Sequence, residues 1–107
     1  MSQLSSFAPY PPSSPGAVLA VTVTAQNLAT VDSSGRCTAF RFANVGTQVV
    51  YFTFAAQGNA VTPATTSNGI PIQPGSVETF TLPPNPQISV IAAATGSTLT
   101  VTAGEGI

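Results

Sequence analysis

Turn signals interrupt this chain about every ten residues, a spacing that suits single strands and leaves little room for helices of ordinary length. They include Asp32-Ser33-Ser34-Gly35, Asn44-Val45-Gly46-Thr47, Gln73-Pro74-Gly75-Ser76, Pro83-Pro84-Asn85-Pro86 and Ala94-Thr95-Gly96-Ser97. Between them the apolar residues alternate. In "AVLAVTVTA" (Ala17–Ala25), Leu19, Val21 and Val23 fall on one face and Ala20, Thr22 and Thr24 on the other, the period-two pattern of a half-buried strand. No window carries a helical stripe.

The same reading places the remaining strands. A short one follows a kink near Ala25-Gln26 and covers Gln26–Val31. Cys37–Asn44 sends Phe40 and Phe42 to the core and Ala39 and Arg41 to the other face. Gln48–Ala55 is apolar on both faces and predicts a central strand. Residues 56–72 read as loop, with a short strand near Ala60–Thr62. Val77–Leu82 points Phe80 and Leu82 inward. Gln87–Ala93 and Thr98–Ala103 read as a final hairpin about the Ala94–Ser97 turn. Gly46 is expected in the left-handed region, and Gln73–Ser76 as a type II turn. The expected core is Phe40, Phe42, Phe52, Phe54, Phe80, Leu82, Ile88, Val90, Leu99 and Val101. Together these predict an all-β fold: an antiparallel, jelly-roll-like β-sandwich of about seven or eight short strands. It occupies residues 17–107.

Residues 1–16 form an arm. Ser6–Gly16, "SFAPYPPSSPG", holds four of the ten prolines together with Phe7 and Tyr10. Proline at this density excludes helix and central strand and favours polyproline II. The expected partner-contact residues are Phe7, Pro9, Tyr10, Pro11 and Pro12, because aromatic anchors dominate interface energetics and a stiff segment loses little entropy on docking.

Charge is scarce. Only Asp32, Arg36, Arg41, Glu78 and Glu105 carry it, and lysine, histidine and tryptophan are absent. Two arginines cannot neutralise a run of phosphates, so a nucleic-acid partner is not expected. A nucleophile would lack the His or Lys base it usually needs, so no enzyme activity and no catalytic residue is expected. Cys37 is the single cysteine and forms no internal disulfide. Asp32 alone is too sparse a donor set for calcium, so neither a metal nor a cofactor is expected. The apolar run Ala17–Ala25 is far shorter than a membrane span needs, and "MSQLSSFAPY" lacks the basic and apolar regions of a secretory signal. Synthesis in a cytoplasm is the expectation. Near-zero net charge gives weak colloidal repulsion and favours association. Arg41, between two core phenylalanines, and Glu78 are the candidates for an intersubunit ion pair.

The segments "RFANVGTQVVYFTFA", "NGIPIQPGSVETF" and "TLTVTAGEGI" resemble a group of small virion-associated β-proteins of tailed bacteriophages. The likeness covers residues 17–107 and not the arm, and its motifs are turn and strand signals. It implies a structural part of a virion: a capsid decoration (cement) protein, or a neck or tail accessory, held to the major capsid protein or to neighbouring copies. It carries over no catalytic residue. A receptor- or glycan-binding module of a tail fibre or spike is the alternative, with the Gly58–Pro71 loop as its natural site; that loop contains no aromatic residue to stack on a sugar.

Overall fold

The computed structural model describes residues 8–9, 17–28, 38–56, 58–83 and 86–105. They form nine strands: β1 (Ala8–Pro9), β2 (Ala17–Val21), β3 (Gln26–Asn27), β4 (Ala39–Gly46), β5 (Val50–Ala55), β6 (Ile70–Ile72), β7 (Val77–Thr81), β8 (Gln87–Ala92) and β9 (Ser97–Glu105). Every pairing among them is antiparallel.

The pairs nest. β5 pairs with β6, β4 with β7, β3 with β8 and β2 with β9. The described chain is thus one long hairpin centred on the β5–β6 loop and rolled into two sheets. Sheet A runs β2-β9-β4-β7 and sheet B runs β3-β8-β5-β6. β1 shares the β2 edge of β9, so each sheet is four strands wide. This is the jelly-roll order, with two Greek keys and two packed sheets.

The expected β8–β9 hairpin does not form. The four residues after Ala92 carry the chain from sheet B to sheet A, where β9 pairs with β2 and β4. A short turn fixes a change of direction, not which strands pair, and here both strands have long apolar faces that bury better against other neighbours. Short links between β4 and β5, and between β6 and β7, are likewise corners between sheets. The strand expected at Ala60–Thr62 is also absent. Its place beside β5 is taken by Ile70–Ile72, an edge strand whose Pro71 lacks the donor an inner strand needs.

Between the sheets Phe42 of sheet A stacks on Phe52 of sheet B, centroids 4.3 Å apart. Phe80 meets both edge-on, at 5.3 and 5.1 Å. Eight of the ten expected core residues are buried; Phe80 is half-buried and Phe54 is 41 % exposed. Phe54 lies beyond the last β5–β6 pair, Phe52 with Ile70, so no β6 residue covers it. Val21, Val50, Ile72, Ala92 and Ala103 complete the core. Val23, placed by alternation on the same face as Val21, lies past the end of β2 in the crossing to sheet B and is exposed. Alternation holds only while a strand continues.

At one corner the backbones of β4 and β9 come into contact. A Cβ on Gly46 would stand 2.3 Å from the Gly96 carbonyl oxygen, and its φ is +152°. Glycine is therefore required there by close approach and by positive φ, rather than by the tight left-handed turn expected from sequence. The Gln73–Ser76 turn has its predicted form: Gly75 has φ +78° and the Ser76 N–H donates to the Gln73 carbonyl at 3.0 Å.

Candidate interaction surfaces

The two outer faces of the sandwich differ. Sheet B is covered by its own chain. Residues 58–69 fold back over it, and Ala64 is buried there. The Ala64 N–H donates to the Ser89 Oγ at 3.0 Å, and the Thr53 hydroxyl donates to the Thr62 carbonyl at 2.5 Å. The loop is stiffened internally. Thr65 N–H donates to Asn68 Oδ1 at 2.7 Å, Asn68 N–H to Thr65 Oγ1 at 3.1 Å, and Asn68 Nδ2 to the Pro63 carbonyl at 3.2 Å. Gly69 lets the returning backbone pass Tyr51: a Cβ there would meet the Tyr51 Cβ at 2.6 Å. Ser89 is the signal in the sequence for this arrangement, a polar residue inside an apolar strand that becomes buried under the loop.

Sheet A has no such cover among the described residues. Register defines its outer face row by row. Val18 pairs with Thr100, Thr100 with Ala43, and Ala43 with Val77. Ala20, Thr98 and Val45 form the neighbouring row, and Thr102, Arg41 and Thr79 the row on the other side. All point away from Phe40, Phe42, Leu99 and Val101, because side chains alternate across a strand. Val18, Val45 and Val77 are 61, 65 and 60 % exposed. These rows are Val, Ala and Thr with Arg41 as the one formal charge among them.

A polar cluster fixes one end of this face. Asn44, buried on the inner side of β4, donates through Nδ2 to the Gln48 carbonyl at 2.8 Å and the Ile72 carbonyl at 2.9 Å. The Ser97 hydroxyl accepts from Gln48 N–H at 2.9 Å and donates to the Gln48 carbonyl at 2.8 Å. These bonds tie β4, β6, β9 and the link between β4 and β5 together. Asn44 Oδ1 is buried without a partner.

The residues expected to carry function fall as follows. Phe7, Tyr10, Pro11 and Pro12 lie outside the described residues. Pro9 pairs with Gly104 of its own chain, and Ala8 with Glu105, in β1. This part of the arm therefore extends sheet A. The β9 partners of Pro9 and Ala17 are separated only by Thr102 and Ala103, whereas residues 10–16 separate β1 from β2, so β1 is not a simple extension of β2. Arg41 is opposite Thr79 and Glu78 is opposite Phe42. Adjacent register positions face opposite ways, so the two charges lie on opposite sides of sheet A within one chain. An ion pair between them would have to join two copies.

Among the described residues no three of His, Cys, Asp and Glu gather as a metal-binding group. No helix is long and apolar enough to cross a membrane. Comparison of the chain with protein-family models, with curated proteins and with solved structures finds no match.

Proposed function

We propose that this protein is a structural component of a tailed-bacteriophage particle, a jelly-roll subunit that decorates or cements the capsid. The observation that carries the reading is the outer face of sheet A, where three valines, Val18, Val45 and Val77, are exposed among the described residues beside a single formal charge, Arg41. A monomer in solution gains nothing from such a face, whereas a subunit in a shell covers it. The likeness in the strand and turn motifs supplies the phage context. The jelly roll is used by capsid and lectin domains alike, so the fold adds only analogy.

In this role the arm contacts the major capsid protein or a neighbouring copy, with Phe7 and Tyr10 as anchors. β1 fixes the point on the domain from which the arm starts. Many weak sites, each held at high local concentration by its neighbours, then give tight attachment. The covered state of sheet B favours this reading over a receptor- or glycan-binding module, since the one long described loop packs on its own sheet.

The test is a pair of variants, Phe7→Ala with Tyr10→Ala, and removal of residues 2–16, each assayed for occupancy on purified particles. Occupancy should fall while the domain's melting transition persists. Particles that keep either variant at full occupancy under heat or chelator stress would rule the arm out as the attachment.

A further inference from the structure

We infer that Asn68 is a self-modifying residue: it converts to an aspartyl or isoaspartyl residue when the loop over sheet B opens, and the conversion releases that loop. The chemistry is intrinsic to the chain and independent of the virion reading.

Only Asn68 is followed by glycine; Asn27, Asn44, Asn59 and Asn85 precede Leu, Val, Ala and Pro. The neighbour matters because the backbone nitrogen after an asparagine can attack the side-chain carboxamide. Glycine, with no Cβ, leaves that nitrogen the least hindered. A bond forms between Gly69 N and Asn68 Cγ, the Cγ–Nδ2 bond breaks, and ammonia leaves with the proton that Gly69 N gives up. The product is a cyclic imide, which water opens at either carbonyl. Attack at Cγ gives the aspartyl residue. Attack at the backbone carbonyl gives the isoaspartyl residue, whose main chain runs through the former side chain and is longer by a methylene. Water is the only co-reactant.

The closed loop keeps the two reacting groups apart. Gly69 N–H donates to the Thr65 carbonyl at 3.1 Å. Asn68 Oδ1 accepts from Thr65 N–H at 2.7 Å, and Nδ2 donates to the Pro63 carbonyl at 3.2 Å. Both the attacking nitrogen and the attacked carboxamide are thus bonded elsewhere. Gly69 is also hemmed in, with Tyr51 Cβ and the Phe52 nitrogen where a methyl would stand. Cyclisation requires these bonds to break. Among the described residues, side-chain bonds through Ser89 and Thr53 tie the loop to sheet B, and Asn68 is exposed, so water reaches the imide. Opening such a segment costs far less than unfolding the domain. The reaction therefore runs from the open loop, at a rate set by its population.

Reclosing does not undo the change. The new carboxylate presents an oxygen to the Pro63 carbonyl where Nδ2 had donated, and it adds a negative charge to a chain of net charge −1. In the isoaspartyl form the extra methylene shifts Gly69 at its close approach to Tyr51, just before Ile70 pairs with Phe52. The cover of sheet B thus ages into an open state and uncovers the Thr53–Ser89 pair beneath it.

The experiment is incubation of the full chain at mildly alkaline pH, with ion exchange to follow the acidic product and peptide mapping to locate it. Conversion should occur at Asn68 ahead of Asn59, which is equally exposed but precedes alanine. It should accelerate with pH, because the attacking nitrogen must lose its proton. Thr65→Ala removes the Oγ1 that accepts from Asn68 N–H at 3.1 Å, and Ser89→Ala removes the anchor of Ala64. Each should raise the rate about fivefold while circular dichroism stays unchanged, and urea should raise it further. Asn68→Asp should speed protease cleavage within residues 58–69. Conversion at Asn59 as fast as at Asn68 would overturn the assignment of the site. A folded wild type that never converts while the urea-unfolded chain does, or one rate shared by wild type, both variants and the unfolded chain, would overturn the gate. A loop that stays protected in Asn68→Asp would overturn the release. None of these outcomes depends on particle occupancy.

Discussion

Phe42 and Asn44 hold the two sheets together by different physical means, and Gly46 lets β4 and β9 of sheet A meet closely at a corner. Phe42 stacks on Phe52 and meets Phe80 edge-on, so Phe42→Ala removes both area and ring contacts. It should cost about 3–5 kcal/mol, typical of a buried phenylalanine, measured by urea denaturation. Gly46→Ala would push a methyl into the Gly96 carbonyl and Ser97 Cα. Both groups are backbone and cannot swing away, so the variant should lower the melting temperature sharply or fail to fold, whereas Gly75→Ala, with open space around its Cβ position, pays only the positive-φ strain. Equal losses at the two glycines would show that the corner contact is not what fixes Gly46. Asn44→Ala strips the Gln48 and Ile72 carbonyls of a donor and should cost about 1–3 kcal/mol. At this scale the sequence was legible where period two ran unbroken: Phe40, Phe42, Leu99 and Val101 are buried and Arg41 lies on the other face. It was silent where the requirement is long-range. Nothing local to Gly46 announces the approach of Gly96, and nothing local to Asn44 announces the Ile72 carbonyl.

At the level of elements, the nested pairing makes a distinctive prediction. Nuclear Overhauser contacts should link the backbones of Leu99 and Leu19, and of Val101 and Phe42. Contacts between β8 and β9 in hairpin register would contradict the fold. The strands themselves were readable because each is bounded by turn residues, but their partners were not, since a corner and a hairpin use the same short Gly- and Ser-rich link. Pro71 marked its strand as an edge only once the strand itself was located. Sheet B's cover gives a second prediction at this scale. Ser89→Ala removes the acceptor for the Ala64 N–H, which should free residues 58–69 and speed protease nicking there, with a global loss of only about 1 kcal/mol. Unchanged nicking would mean that the loop's internal bonds through Thr65 and Asn68 hold it without Ser89.

Across the whole molecule charge is scarce, with two arginines and three side-chain carboxylates in 107 residues. Attachment to the particle should therefore change by less than about twofold between low and high salt, because no charge pair is its main attraction. Attachment that weakens steeply with salt, and is lost in Arg41→Ala, would instead favour the intersubunit Arg41–Glu78 pair. That a loop covers the outer face of sheet B, whereas no described residue covers Val18, Val45 and Val77 on sheet A, was invisible to periodicity, since an outward valine is written the same way whether or not chain folds over it. In the proposed role this domain is built into a phage particle, and quantitative mass spectrometry of virions purified from the genome that encodes it is the decisive measurement. A capsid decoration protein should appear at on the order of hundreds of copies per particle, in fixed ratio to the major capsid protein; a dozen copies or fewer would move it to the neck or tail, and its absence from washed particles would contradict the structural role altogether.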